Sequence, residues 1–197
     1  MKIIAIAGGS GCGKTFFTRL LVNRLKSSVV LPLDCYYKDK PDQIPVHKYD
    51  FDIPSSFDFK LYRHHLDALL SGDSIQKPNF NYDLSKRATN NSKLHPKKYI
   101  IIEGLHVLLY PDIRKKISFS FYLESPLDVA VSRRCLRDIK EHSVTAQYSI
   151  NQYLKFVRPV FFKLIQPTKK FANLVVENNI ESRLDLFIDN YLEKKNL

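Results

Sequence analysis

Short apolar runs alternate along this chain with stretches whose apolar residues recur at three- and four-residue intervals. Ile3, Ile4, Ala5, Ile6 and Ala7 make the first run, and Val29 to Leu33, Tyr99 to Ile102, Phe119 to Leu123 and Leu174 to Val176 repeat it. Runs with few polar interruptions are what strands covered on both faces of a parallel sheet require. Phe17, Leu20, Leu21 and Leu25 recur at helical spacing, and Leu184, Phe187, Ile188, Tyr191 and Leu192 form a longer stripe that should close over the sheet as core. This alternation predicts an α/β fold, a mostly parallel sheet with helices on both faces.

The alternation fails between Cys35 and Lys98. There Pro41, Pro45, Pro54, Pro78 and Pro96 break the pattern, leaving one helix over about Lys60 to Leu70 and a short hairpin after it. We read residues 35–98 as an insertion into one domain spanning 1–197. Loops added to a rigid core are where binding residues concentrate, so the insertion is the place for an acceptor molecule. The chain shows no internal repeat, and its 44% hydrophobic content suits one sizeable core.

Between the first strand and the first helix stands Gly8-Gly9-Ser10-Gly11-Cys12-Gly13-Lys14-Thr15, which fits G-x-x-x-x-G-K-[ST]. Such glycines let backbone N–H groups wrap a phosphate at a helix N-terminus. Lys14 is then placed for the β- and γ-phosphates and Thr15 for Mg²⁺. The sheet is therefore of the P-loop NTPase type. Ligands of such sheets bind beyond the carboxyl ends of the strands, where Asp34 follows the second predicted strand and Glu103 the third. Glu103 is placed to hold Mg²⁺ or its water shell. Asp34 is placed for the same metal, or to accept a proton from an attacking hydroxyl.

Charge and cysteines narrow the setting. A net charge of +11 favours anionic partners in general, but no reader module of the kind a nucleic-acid binder needs accompanies it, so no nucleic acid is expected. Cys12, Cys35 and Cys135 show no C-x-x-C pairing and indicate neither a disulfide framework nor zinc. No apolar stretch of membrane-spanning length occurs, and the first strand begins at Lys2, so the expectation is a cytoplasmic protein without a membrane partner.

An ordered set of segments resembles the uridine kinase family of nucleoside kinases, related to phosphoribulokinases. It comprises the phosphate loop, Leu33 to Asp39, Phe51 to Asp58, Ile102-Glu103-Gly104, Arg133 to Asp138, Gln152-Tyr153, Arg158-Pro159 and Pro167 to Lys170. The resemblance implies transfer of the γ-phosphate of ATP, or GTP, to the 5′-hydroxyl of uridine or cytidine, in pyrimidine salvage. It implies Asp34 as general base, Thr15 and Glu103 for Mg²⁺, and Arg134 and Arg137 in a lid over about 126–148. Asp52, Arg134 and Gln152 would hold the ribose, Tyr37 and Phe51 would wall the base, and the protein would be a homo-oligomer. Arg133, Arg134 and Arg137 also lie within one helical turn, where like charges repel unless an anion compensates them.

Departures from the family concern the base. Over Pro78 to Arg87, Phe80 stands for a tyrosine and Ser85 for a histidine that read the base edge, unless a gap gives Tyr82-Asp83 the Tyr-Asp role. His142 and Val144 replace two lid arginines, and Glu177-Asn178-Asn179 stands where the family has a glycine-rich turn. These leave open a kinase of another riboside or sugar alcohol, and a non-catalytic nucleotide-binding module.

Overall fold

In the computed structural model, which describes residues 1–195, the apolar runs become β1 (Lys2–Gly8), β2 (Ser28–Pro32), β7 (Tyr99–Glu103), β8 (Ile117–Glu124) and β9 (Leu174–Glu177). Strands β3 (Ile75–Lys77), β4 (Phe80–Asn81), β5 (Lys86–Arg87) and β6 (Ser92–Leu94) belong to the insertion. The five long runs form one sheet in the order β2-β7-β1-β8-β9, parallel throughout. Register aligns its carboxyl edge: Ile6 and Pro32 both pair with Glu103, and Gly8 pairs with Leu123. The phosphate loop, Glu103 and the chain following β2 therefore leave the sheet along one rim.

Side-chain alternation splits the core into two layers. Ile3, Ala5, Ala7, Ile100, Ile102 and Tyr122 face α2 (Phe59–Ser71), whereas Ile4, Ile6, Ile101, Phe121 and Leu123 face α1 (Lys14–Arg24) and α7 (Leu184–Lys195). The α7 stripe behaves as its spacing predicts: Leu184, Ile188 and Leu192 are buried, and Phe187 and Tyr191 are packed against them. Arg24 of α1 pairs with Asp189 of α7. Asp58 caps α2 by accepting from the Leu61 amide at 3.0 Å, and Gly72 ends it in the left-handed region at φ 96°.

The insertion holds two nested antiparallel pairs, β3 with β6 and, inside it, β4 with β5, where one short hairpin was expected. Ser85 closes the inner turn at φ 51°, a conformation that costs a side-chain-bearing residue energy. Arg87 fastens this hairpin to the body through Asp58 at 3.0 Å and the Tyr37 carbonyl at 3.1 Å. After the short α3 (Pro111–Arg114), α4 (Leu127–His142) crosses the rim and leads to α5 (Ala146–Gln152). The helix then widens over Tyr153–Val157 and Phe161–Ile165, on either side of α6 (Arg158–Val160). Each widening closes just before a proline, Pro159 and Pro167 in turn, which lacks the N–H that a regular helix needs there. No helix among the described residues is long and apolar enough to cross a membrane.

Candidate active site at the carboxyl rim of the sheet

Residues 8–15 form a tight loop between β1 and α1, and the glycines are dictated by contact. A Cβ at Gly11 would stand 2.0 Å from the Ala130 carbonyl oxygen, and one at Gly13 2.3 Å from Asn178 Nδ2, both at positive φ. Lys14 turns back over the loop, its Nζ donating to the Gly9 carbonyl at 2.9 Å. Ser10 Oγ accepts from Arg134 at 2.8 Å, and Cys12 is buried under the loop. The Cys12 carbonyl accepts from Asn178 Nδ2 at 2.9 Å. Asn178 thus holds the loop from behind, with a side chain in place of the absent glycine-rich turn.

Two carboxylates face this loop from neighbouring positions on the rim. Glu103, the last residue of β7, is buried and accepts from Thr15 Oγ1 at 3.3 Å and Thr18 Oγ1 at 3.1 Å. Burial raises its pKa and the nearby Lys14 opposes the rise. Asp34 lies in a 3₁₀ turn (Leu33–Tyr36) after β2, one strand further from the loop than Glu103. Asp34 is exposed to solvent, with charged and aromatic neighbours around it. Desolvation there raises the pKa, while Lys14, Arg137 and Arg134 pull it down. Glu103, Thr15 and the neighbouring Asp34 offer oxygen donors of the kind Mg²⁺ takes, and would hold the ion or its water shell.

The arginines of α4 qualify one expectation. Their charges are compensated in part inside the protein: buried Asp138 sits 3.3 Å from Arg134 Nε and 2.8 Å from Arg137 Nη2, one carboxylate shared by two guanidinium groups. Ser149 donates to the same carboxylate at 2.7 Å, and together these contacts hold the Asp138 pKa low against the effect of burial. Arg133 turns away to the carbonyls of Asn178 at 3.0 Å and Asn179 at 2.8 Å. One carboxylate against three arginines leaves this stretch of α4 with net positive charge.

On the far side of Asp34 lies an aromatic recess. Tyr37 is itself buried, stacked on Phe57 at 4.3 Å and met by Phe80 at 5.2 Å and Phe51 at 5.7 Å. Asp52 is buried beside them, and desolvation pushes its pKa up to about 6, with Arg134 opposing. Its carboxylate has no hydrogen-bond partner among the described residues. Gln152 donates to the His47 carbonyl at 3.1 Å, which ties α5 to the insertion. Ser85 is buried in its turn, bonded to the Tyr82 carbonyl at 3.4 Å. The neighbouring Tyr82 projects instead, its ring 5.4 Å from that of His142 at the end of α4. Thr18 was not singled out in the sequence, though it lies one turn after Thr15; Asp138 and Asn178 stood there only within longer segments, with no role given to either.

A phosphate-wrapping loop after the first strand of a parallel sheet, with strand-end carboxylates and helix-borne arginines around it, defines a P-loop kinase. The family model described as Phosphoribulokinase / Uridine kinase family matches residues 3–184, and the chain belongs to that family. Among curated relatives, "Uridine kinase" of Proteus mirabilis is 35% identical over 194 residues, covering 94% of this chain and 91% of its own. "Uridine kinase" of Clostridium perfringens is 35% identical over 180 residues, covering 88% and 85%. Among solved structures, phosphoribulokinase from Rhodobacter spheroides aligns with TM-score 0.65 at 10% identity, covering 93% of this chain and 72% of its own. D-glycerate 3-kinase from Cryptococcus neoformans gives 0.65 at 14%, covering 92% and 87%. These two likenesses bear on the fold alone.

Proposed function

We propose that this kinase moves the γ-phosphate of ATP or GTP to the 5′-hydroxyl of uridine or cytidine, as a pyrimidine-salvage enzyme of the cytoplasm. The observation that carries the reading is the setting of Asp34. One carboxylate lies within electrostatic reach of the loop lysine and two helix-borne arginines, at the mouth of an aromatic recess that holds a second carboxylate without a partner. Phosphoryl transfer needs positioning and charge neutralisation more than covalent chemistry, and this arrangement offers both.

In this reading Gly8, Gly9, Ser10, Gly11, Cys12 and Gly13 cradle the donor phosphates, and Lys14 compensates charge on the moving phosphoryl group. Thr15 and Glu103 would hold Mg²⁺, which when bound neutralises charge between the phosphates, and this leaves Asp34 free for the proton. Asp34 takes the proton from the 5′-hydroxyl. Arg134 and Arg137 act from a lid over 126–148, within a single domain whose insertion at 35–98 holds the acceptor. Asp52, Arg134 and Gln152 grip the ribose, and Tyr37, Phe51 and Phe80 wall the base. The family likeness also supports a homo-oligomer.

Withdrawal of Ser85 into its turn favours a relaxed choice of base, because a site without a polar base reader loses its penalty against a wrong edge. The test is nucleotide consumption with uridine, cytidine, adenosine and deoxyuridine in turn. Uridine and cytidine should both stimulate it, within about tenfold of each other, and deoxyuridine should lag. No stimulation by any riboside, or equal use of deoxyuridine, contradicts the reading.

A further inference from the structure

His106 lies three residues past Glu103, in the turn that follows β7, and is fully buried. Its Nε2 stands 2.6 Å from the Asp52 carbonyl oxygen. A carbonyl only accepts, so Nε2 carries the proton and Nδ1 is left as a lone pair. That Nδ1 is buried with no partner. Burial pushes the imidazole pKa down to about 4, so the ring is neutral at working pH and contributes no charge. Its face meets Phe57 edge-on at 5.6 Å.

A buried acceptor without a partner costs stability that leucine in the same space would not. What histidine supplies and leucine cannot is the N–H to Asp52. The segment around Asp52 is otherwise tied to itself, the Asp52 amide donating to Asp50 Oδ1 at 2.9 Å and Ser56 Oγ to the Asp50 carbonyl at 2.6 Å, and only from Ser55 onward to Tyr36–Lys38. His106 bonds it to the turn that carries Glu103. We propose that His106 is a positioning residue, which fixes the backbone of Asp52 so that its free carboxylate meets the ribose hydroxyls of the acceptor. This rests on the ribose-holding role of Asp52 proposed above.

The experiment compares His106→Leu, His106→Gln and His106→Asn with wild type. Glutamine reaches about where Nε2 stands and keeps the donor; asparagine is too short. His106→Leu should raise the KM for uridine about tenfold and erode the preference for uridine over deoxyuridine, with the KM for ATP unchanged. Glutamine should restore both, and asparagine should not. The carbonyl carbon resonance of Asp52, read without substrate, should move in His106→Leu and return in His106→Gln. A uridine KM and preference untouched in His106→Leu, or leucine and glutamine variants that behave alike, overturns the proposal. If wild type phosphorylates no riboside, the functional reading fails while the resonance still decides the tie: movement reversed by glutamine upholds it, and an unmoved resonance overturns it.

Discussion

The two halves of the rim are built differently. On the donor side Lys14, Ser10, the Cys12 carbonyl and Glu103 each have a protein partner: Gly9, Arg134, Asn178 and two threonines in turn. On the acceptor side Asp34 and Asp52 keep carboxylates that burial raises in pKa, and no protein donor answers Asp52. A phosphate is the same in every nucleotide, so its cradle can be fixed in advance. The acceptor side instead leaves the Asp52 carboxylate without a donor among the described residues until substrate arrives, at a cost in stability.

The largest effect should come from Asp34→Asn, which removes a proton acceptor while keeping its shape. Turnover should fall by about 10² to 10⁴-fold in a steady-state assay. Lys14→Ala should lower turnover about 10²-fold or more, because a donor to the developing charge is lost. Retention of a tenth of the wild-type rate would show that the prepared cradle does not act on the moving phosphate.

Asp52→Asn sharpens the contrast. With a folded pKa near 6, against an ordinary aspartate value of 3.8, the folded state holds the proton more tightly than the unfolded one. Stability is therefore lost as pH rises from about 4 to about 6, and the loss is complete above that. Removing the charge should stabilise the protein by up to about 3 kcal/mol at neutral pH, with no gain near pH 4, read by denaturant unfolding. The same variant should bind uridine more weakly. In wild type the uridine KM should rise as pH drops through about 6, where Asp52 protonates. The smallest effect is expected for Asn178→Ala: loss of one hydrogen bond to the loop should weaken ATP binding about fivefold, by calorimetry.

Much of the donor side was legible because its chemistry is contiguous in sequence. The loop, the strand before it and the helix after it occupy residues 2–24, and the acids at Asp34 and Glu103 announce themselves by following apolar runs. What escaped depends on contacts between distant positions. Asn178 touches Cys12 across 166 residues, and no periodicity marks either as a partner. In the sequence Asp138 marks only the end of the Arg133 to Asp138 segment, yet its one carboxylate is shared by two of the arginines whose spacing had pointed to a compensating anion. In the insertion, proline breaks foretold irregular chain but not that Ser85 would turn inward at φ 51° while Tyr82 projects toward His142.

The separation of the two halves is tested most directly by titrating ATP, with Mg²⁺, into wild type and Asp34→Asn in the absence of acceptor. A donor side complete in itself predicts dissociation constants within about twofold of each other, alongside the loss of turnover. If ATP affinity collapses with Asp34→Asn, that carboxylate chiefly serves the metal, the proton acceptor lies elsewhere, and the division of the rim is wrong.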